Sequence, residues 1–220
     1  MGERRREERE IAALVHGRYL VETPDAENPP LLVGFHGYGE NAEKHLEELR
    51  RLPGASRWAL CAVQALHPFY NRANEVVANW MTRQDRERAV RDNQRYAGSV
   101  LAELRAELPG CDRWAFLGFS QGGAMAYRAA AASPPGARGV VVLGSDLPPE
   151  IAGPALAALP PVLLGRGDRE EWYDEKKLAG DLERLRVAGV DVRPVAYAGG
   201  HEWTEEFLAA AGAFLAERFA

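Results

Sequence analysis

From Pro29 onward, short apolar runs alternate with longer amphipathic ones, the pattern that builds a mostly parallel sheet flanked by helices. Strand-like runs are GRYLVE (17–22), LLVGF (31–35), RWALCAV (57–63), RWAFLGF (113–119), GVVVLGS (139–145), PVLLGR (161–166) and VRPVAYA (192–198), each bounded by turn residues. Ala97, Val100, Leu101, Leu104 and Leu108 fall on one face at helical spacing and predict a helix over 86–108, ending at Pro109 and Gly110. Leu178, Leu182 and Leu185 mark another helix, closed by Gly189, and Phe207, Ala211, Phe214 and Leu215 mark the last. Pro194 has no amide to donate, which assigns its strand to the edge of the sheet. The least regular region, 64–83, carries Phe69, Tyr70 and Trp80; connections of that length are often functional. No repeat, low-complexity tract or linker divides the chain, so the pattern predicts one α/β domain over 1–220, with residues 1–16 as a charged N-terminal extension.

Composition changes this picture little. A net charge of -5 and a pI near 5.6 oppose binding to phosphate backbones, which excludes nucleic acid as an expected partner. A mean hydropathy of -0.32, with no apolar run near the roughly 20 residues of a bilayer span, gives no expectation of membrane insertion. The opening MGERRREERE lacks the apolar stretch of a secretory signal. Cys61 and Cys111 form no CxxC pair and lie in or beside apolar runs. They read as buried free thiols, and the expected location is the cytoplasm.

The informative stretch is LGFSQGGAMAY, 117–127. A G-x-S-x-G where a strand gives way to a helix marks a turn so sharp that the serine is strained and side chains two residues either side would collide with their neighbours. Gly118 and Gly122 remove both collisions, Gly123 permits further close packing, and a helix continues to Ser133, before Pro134 and Pro135. Ser120 is therefore the candidate nucleophile. A serine hydroxyl needs a base, and the base an orienting acid; with this elbow the chain order is Ser, then Asp or Glu, then His. His201 is the sole histidine after Ser120 and follows the last strand in AYAGGHEW. Two aspartates compete for the acid. Asp168, after the later strand, is favoured; Asp146, one strand earlier, reads instead as a helix cap ahead of LPPEIAG, and Glu170 and Glu171 read as solvated. The N–H of Gln121, at the helix start, is one expected oxyanion donor, and that of Tyr38, in the loop FHGYGENAE (35–43), the other. His36 reads as a structural hydrogen-bonding residue beneath that loop.

Rival readings are weaker. Gly37, Gly39 and Ala42 spell G-x-G-x-x-A, which would suggest an NAD(P)-binding oxidoreductase, but nothing acidic occurs between Glu48 and Glu75 to hold a ribose. HEWTE (201–205) has Glu205 where a zinc helix needs histidine, so no metal is expected. A binding protein on a dead hydrolase scaffold would be expected to lack a triad member.

With Ser120, Asp168, His201 and HGYGEN in order, the chain from about Leu31 onward resembles the phospholipase/carboxylesterase family, which includes acyl-protein thioesterases and small bacterial carboxylesterases. HGYGEN, GFSQGG, GRGD and GGHEW match its motifs. The resemblance implies the α/β-hydrolase fold, a mostly parallel sheet with helices on both faces and no large lid domain. It carries over Ser120, Asp168 and His201 as triad, with Tyr38 and Gln121 as oxyanion donors. It implies a cofactor-independent esterase or thioesterase for small to medium acyl chains, with a lysophospholipase, dienelactone-type hydrolase or peptidase as alternatives. Homodimers are common in such families. Where relatives continue with Val-Pro after the aspartate, this chain has DREEWYDEKK, which implies a bulkier, more polar wall with Trp172 intruding. Of the family's Trp-Phe-Asp stretch only Trp80 matches. Phe69, Tyr70, Trp80, Trp172 and Trp203 are the candidate pocket linings.

Overall fold

The central strands bury both of their faces, which is why they read in sequence as unbroken apolar runs rather than as alternation. The structure is a computed structural model and describes residues 5–108, 110–133 and 135–220. Residues 1–4 of the charged extension, Pro109 and Pro134 lie outside the described residues. Residues 5–17 form no regular element.

Seven strands form one sheet in the order β1 (Arg18–Glu22), β3 (Ala59–Gln64), β2 (Leu31–Phe35), β6 (Trp114–Phe119), β7 (Ala137–Leu143), β8 (Val162–Gly167) and β9 (Val192–Tyr197). Only β1 runs antiparallel to its neighbour. β9, with Pro194 opposite Leu164, is an edge strand, as its proline requires. Alternate residues of each inner strand feed two cores. Leu31, Val33 and Phe35 of β2 and Val140 and Val142 of β7 face α2 (Arg86–Glu107), α3 (Gln121–Ala132) and α5 (Glu175–Val187). Leu32, Val141 and Leu143 face α1 (Ala42–Arg51) and α6 (Glu205–Arg218). The helical stripes predicted from sequence do this work: Ala97, Val100, Leu101 and Leu104 are buried in the first core, Phe207, Ala211, Phe214 and Leu215 in the second. Among the described residues no helix is long and apolar enough to cross a membrane.

Two features depart from the expectation. The 64–83 region is an antiparallel hairpin of β4 (His67–Tyr70) and β5 (Val76–Asn79). After β7 the chain runs without helix to a short α4 (Gly153–Ala157), and Asp146 caps nothing; it lies 3.7 Å from Lys177.

The tightest joint is where α3 meets the sheet. A β-carbon at Gly118 would lie 2.2 Å from the Gly122 carbonyl oxygen, and one at Gly122 would lie 2.0 Å from that of Phe35. Both obstacles are backbone and cannot rotate away. Gly122→Ala is expected to cost on the order of 3 kcal/mol in urea unfolding. Gly180→Ala, in α5 with nothing within 4 Å of the new carbon, is expected to be neutral or stabilising by up to about 1 kcal/mol. Equal effects at the two sites would contradict this account of the joint.

Candidate active site

All the candidate groups emerge at the carboxyl ends of parallel strands, where open α/β sheets place their sites. Ser120 sits between β6 and α3 at φ 52, ψ -123, a conformation that only a closely packed surround sustains in a residue with a side chain. Its N–H donates to Leu143 O at 2.9 Å, tying the turn to β7. Ser120 and His201 line one cavity of about 1030 Å³, without a hydrogen bond between them.

His201 is held from two sides. Its ring packs on Phe119 with centroids 4.8 Å apart, and Nδ1 lies 2.5 Å from Glu170 Oε2. A β-carbon at Gly144 would stand 2.9 Å from Nδ1, so the absence of a side chain there is what admits the imidazole. The Glu170 side chain is fully buried, and its Oε1 accepts the N–H groups of Trp172 at 2.8 Å and Tyr173 at 3.2 Å. An ionised carboxylate accepts only, so the shared proton belongs to Nδ1 and leaves the Nε2 lone pair free.

Asp168, the expected partner of His201, is elsewhere. Its side chain is 57 % exposed, and Oδ1 accepts the Gly199 N–H at 2.9 Å. That bond, and beyond it Arg169, holds the Asp168 carboxyl below the usual carboxylate range. The reason is a one-turn reversal, closed by the Glu170 N–H donating to Gly167 O at 3.2 Å. It carries the chain past Asp168 and turns the side chain two residues later inward, where the longer glutamate reaches the ring. Glu170 is thus not solvated; Glu171 is exposed, on the cavity wall.

The Tyr38 and Gln121 N–H groups donate to no acceptor among the described residues. Their surround is thoroughly bonded. Gly39 N–H donates to Ala78 O at 3.0 Å and Ala78 N–H to Glu40 O at 2.8 Å, which lays the hairpin along the Tyr38 loop. Glu40 Oε2 accepts the Gly37 N–H at 2.6 Å; burial raises the Glu40 pKa and that bond lowers it. The Gln121 side chain accepts from Trp80 N–H and donates to Met81 O, both at 2.8 Å. Trp80 Nε1 donates to His36 O at 2.8 Å, and Asn93 donates to Trp80 O at 2.6 Å. His36 lies below, its Nε2 accepting from Ala65 N–H at 3.0 Å and its Nδ1 2.6 Å from Gly37 O.

A family model described as Phospholipase/Carboxylesterase matches residues 16–218. The chain belongs to that family. As a phospholipase/carboxylesterase member it is a hydrolase of the carboxylesterase and acyl-protein thioesterase type, with the α/β-hydrolase fold. Acyl-protein thioesterase 2 of Zea mays superposes with a TM-score of 0.74 at 20% identity, over 93% of this chain and 100% of its own. For esterase PE8 the score is 0.70 at 26% identity, over 93% and 99%. For the Bacillus cereus carboxylesterase it is 0.76 at 15%, over 92% and 95%. No curated protein matches the chain in sequence.

Of the aromatic residues expected to line the pocket of this carboxylesterase-family chain, only Trp172 does so, 68% exposed with Lys177 Nζ 5.3 Å from its ring centroid. Trp80 is fully buried as the strut just described. Trp203 packs on His45, Phe119 and Phe207 in the second core. Phe69 stacks on Tyr38 at 5.5 Å, and Tyr70 is exposed on the hairpin. Sequence reasoning missed Met81, Ala124, Pro148 and Pro149, which supply the apolar wall. The apolar Met81, one residue after the recognised Trp80 in sequence, was the available signal.

Burial pushes the His36 imidazole down to about 4 from an ordinary 6.5. A histidine whose folded pKa is depressed lends stability above its unfolded pKa, and that stability is lost as pH falls through the folded one. Urea unfolding is expected to show on the order of 3 kcal/mol lost through His36 between about pH 6.5 and pH 4, with the native imidazole still neutral by NMR at pH 5. A native His36 titrating near 6.5 would overturn its structural assignment.

Proposed function

We propose that the chain is a serine hydrolase that cleaves carboxylic esters or thioesters of small to medium acyl chains through Ser120, His201 and Glu170. The observation that carries this is His201 Nδ1 at 2.5 Å from a buried, amide-bonded carboxylate, in the same cavity as a strained serine. Ser120 Oγ attacks the acyl carbon while His201 Nε2 takes its proton. Glu170 fixes the tautomer and stabilises the imidazolium. The Tyr38 and Gln121 N–H groups, without another acceptor among the described residues, hold the oxyanion. His201 then returns the proton to the departing alcohol or thiol. Water, deprotonated by the same nitrogen, releases the acid from the acyl-enzyme. A cavity of about 1030 Å³ walled by Met81, Ala124, Pro148 and Trp172 suits a medium acyl chain.

Ser120→Ala is expected to lower turnover of a nitrophenyl ester by on the order of 10⁴ to 10⁶ with the fold intact, and a fluorophosphonate is expected to label the wild type and not the variant. Near-normal hydrolysis by the variant would refute the nucleophile. For the acid, Glu170→Gln presents a donor to Nδ1 and imposes the wrong tautomer, with an expected loss of roughly 10³ to 10⁴ in kcat. Asp168→Asn, which keeps an acceptor for Gly199, is expected to change kcat by less than about tenfold. The reverse ranking would restore Asp168 to the triad.

A further inference from the structure

One buried charge in the cavity has no part in the chemistry above. Arg128 lies on α3 eight residues beyond Ser120, and Ala124, between them, lines the same wall. At 1.5 Å per residue its Cα stands about 12 Å along the helix from the nucleophile's. Its side chain is 1% exposed, and Glu150 Oε1 takes Nε and Nη2, each at 2.7 Å. Nη1 is buried with no hydrogen-bond partner among the described residues. A buried guanidinium is ordinarily satisfied at every donor, since an idle one forfeits its hydration for nothing.

A second cation stands at the same end of the cavity. Arg86, the first residue of α2, is exposed on the cavity lining and makes no ion pair among the described residues. Burial, and to a lesser degree the like charge of Arg86, pull the Arg128 pKa down, against the opposing pull of Glu150. The other acids on the wall are committed or distant in the chain from these helices. Glu170 is taken by His201, Asp146 faces Lys177, and Glu171 is exposed on the loop after β8. The one carboxylate near both arginines, Glu150, pairs with Arg128 alone, and its side chain is 45% exposed.

We infer that Arg128 and Arg86 form a subsite for a carboxylate at the far end of the substrate's acyl chain, so that the preferred esters are those of acids carrying a second, distal carboxyl group. The inference rests on the serine-hydrolase reading above and adds the substrate's charge to it. A guanidinium fork matches a carboxylate in shape as well as sign. The incoming carboxylate engages Nη1 and Arg86 and displaces or joins Glu150, which occupies part of the fork in its absence. An acyl chain lying along Ala124 would span the distance from the oxyanion donors to this pair.

The test compares nitrophenyl esters of matched length: one acyl chain ending in methyl, one ending in carboxylate, and a third ester bearing its carboxylate on the alcohol side. The wild type is expected to favour the acid-ended acyl chain by at least about tenfold in kcat/KM, mainly through KM, with the preference shrinking as salt is raised. Arg86→Gln is expected to cut that ratio several-fold. Glu150→Gln, which removes the competing carboxylate, is expected to raise it by more than Glu171→Gln, which removes a wall charge on the loop after β8; equal gains would leave Arg128 a purely structural residue. Equal or better cleavage of the methyl-ended ester sinks the subsite while leaving the serine reading intact. Preference for the alcohol-side carboxylate overturns the acyl-side assignment. A wild type that cleaves none of the three sinks both.

Discussion

Everything at the site depends on two backbones touching. The first turn of α3 lies so close to β2 and β6 that Gly122 has no room for a β-carbon beneath the Phe35 carbonyl, nor Gly118 beneath Gly122. With the helix seated there, Ser120 has to absorb the change of direction, and its φ of 52 is the result. The same joint sets the start of α3, from which the Gln121 side chain reaches the backbone of Trp80 and Met81. Strain of this kind, of order 1–3 kcal/mol per residue, persists only where the surround over-determines it.

That surround is polar as well as apolar, and its polar part is a connected set of hydrogen bonds. The Gln121 amide spans the backbone of residues 80 and 81, Trp80 reaches down to His36, and the hairpin clasps Glu40. Buried polar groups are worth having only when they are paired. Here the pairing links three segments far apart in sequence into one support for the two free amides.

What was legible in the sequence follows from which forces write plainly. The inner strands, buried on both faces, leave apolar runs, and the two edge strands leave partly apolar ones; all seven appear near their expected bounds. The elbow was legible because glycine is forced by backbone contact, which no distant residue can relieve. The hairpin at 67–79 was not: β4 is mostly exposed, and the hairpin is held by two hydrogen bonds between Ala78 of β5 and the Gly39–Glu40 loop, distant in sequence. Glu170 was hidden because a carboxylate in a run of charges looks solvated. Only the reversal from Gly167, together with the amides of Trp172 and Tyr173, makes a dry position for it. Trp80 was found by its type but given the wrong task, since an indole serves equally well as wall or as strut, and its N–H decides between them.

The proline of β9 has a consequence beyond marking the rim of the sheet. A strand at the rim is a template onto which another chain can zip, unless a donor is missing from the row. Pro194 removes one midway along β9, so growth of the sheet by addition of a like strand there meets a gap in its ladder. Pairing of sheets edge to edge is thereby disfavoured on that flank, which leaves β1 as the edge with an unbroken row of amides.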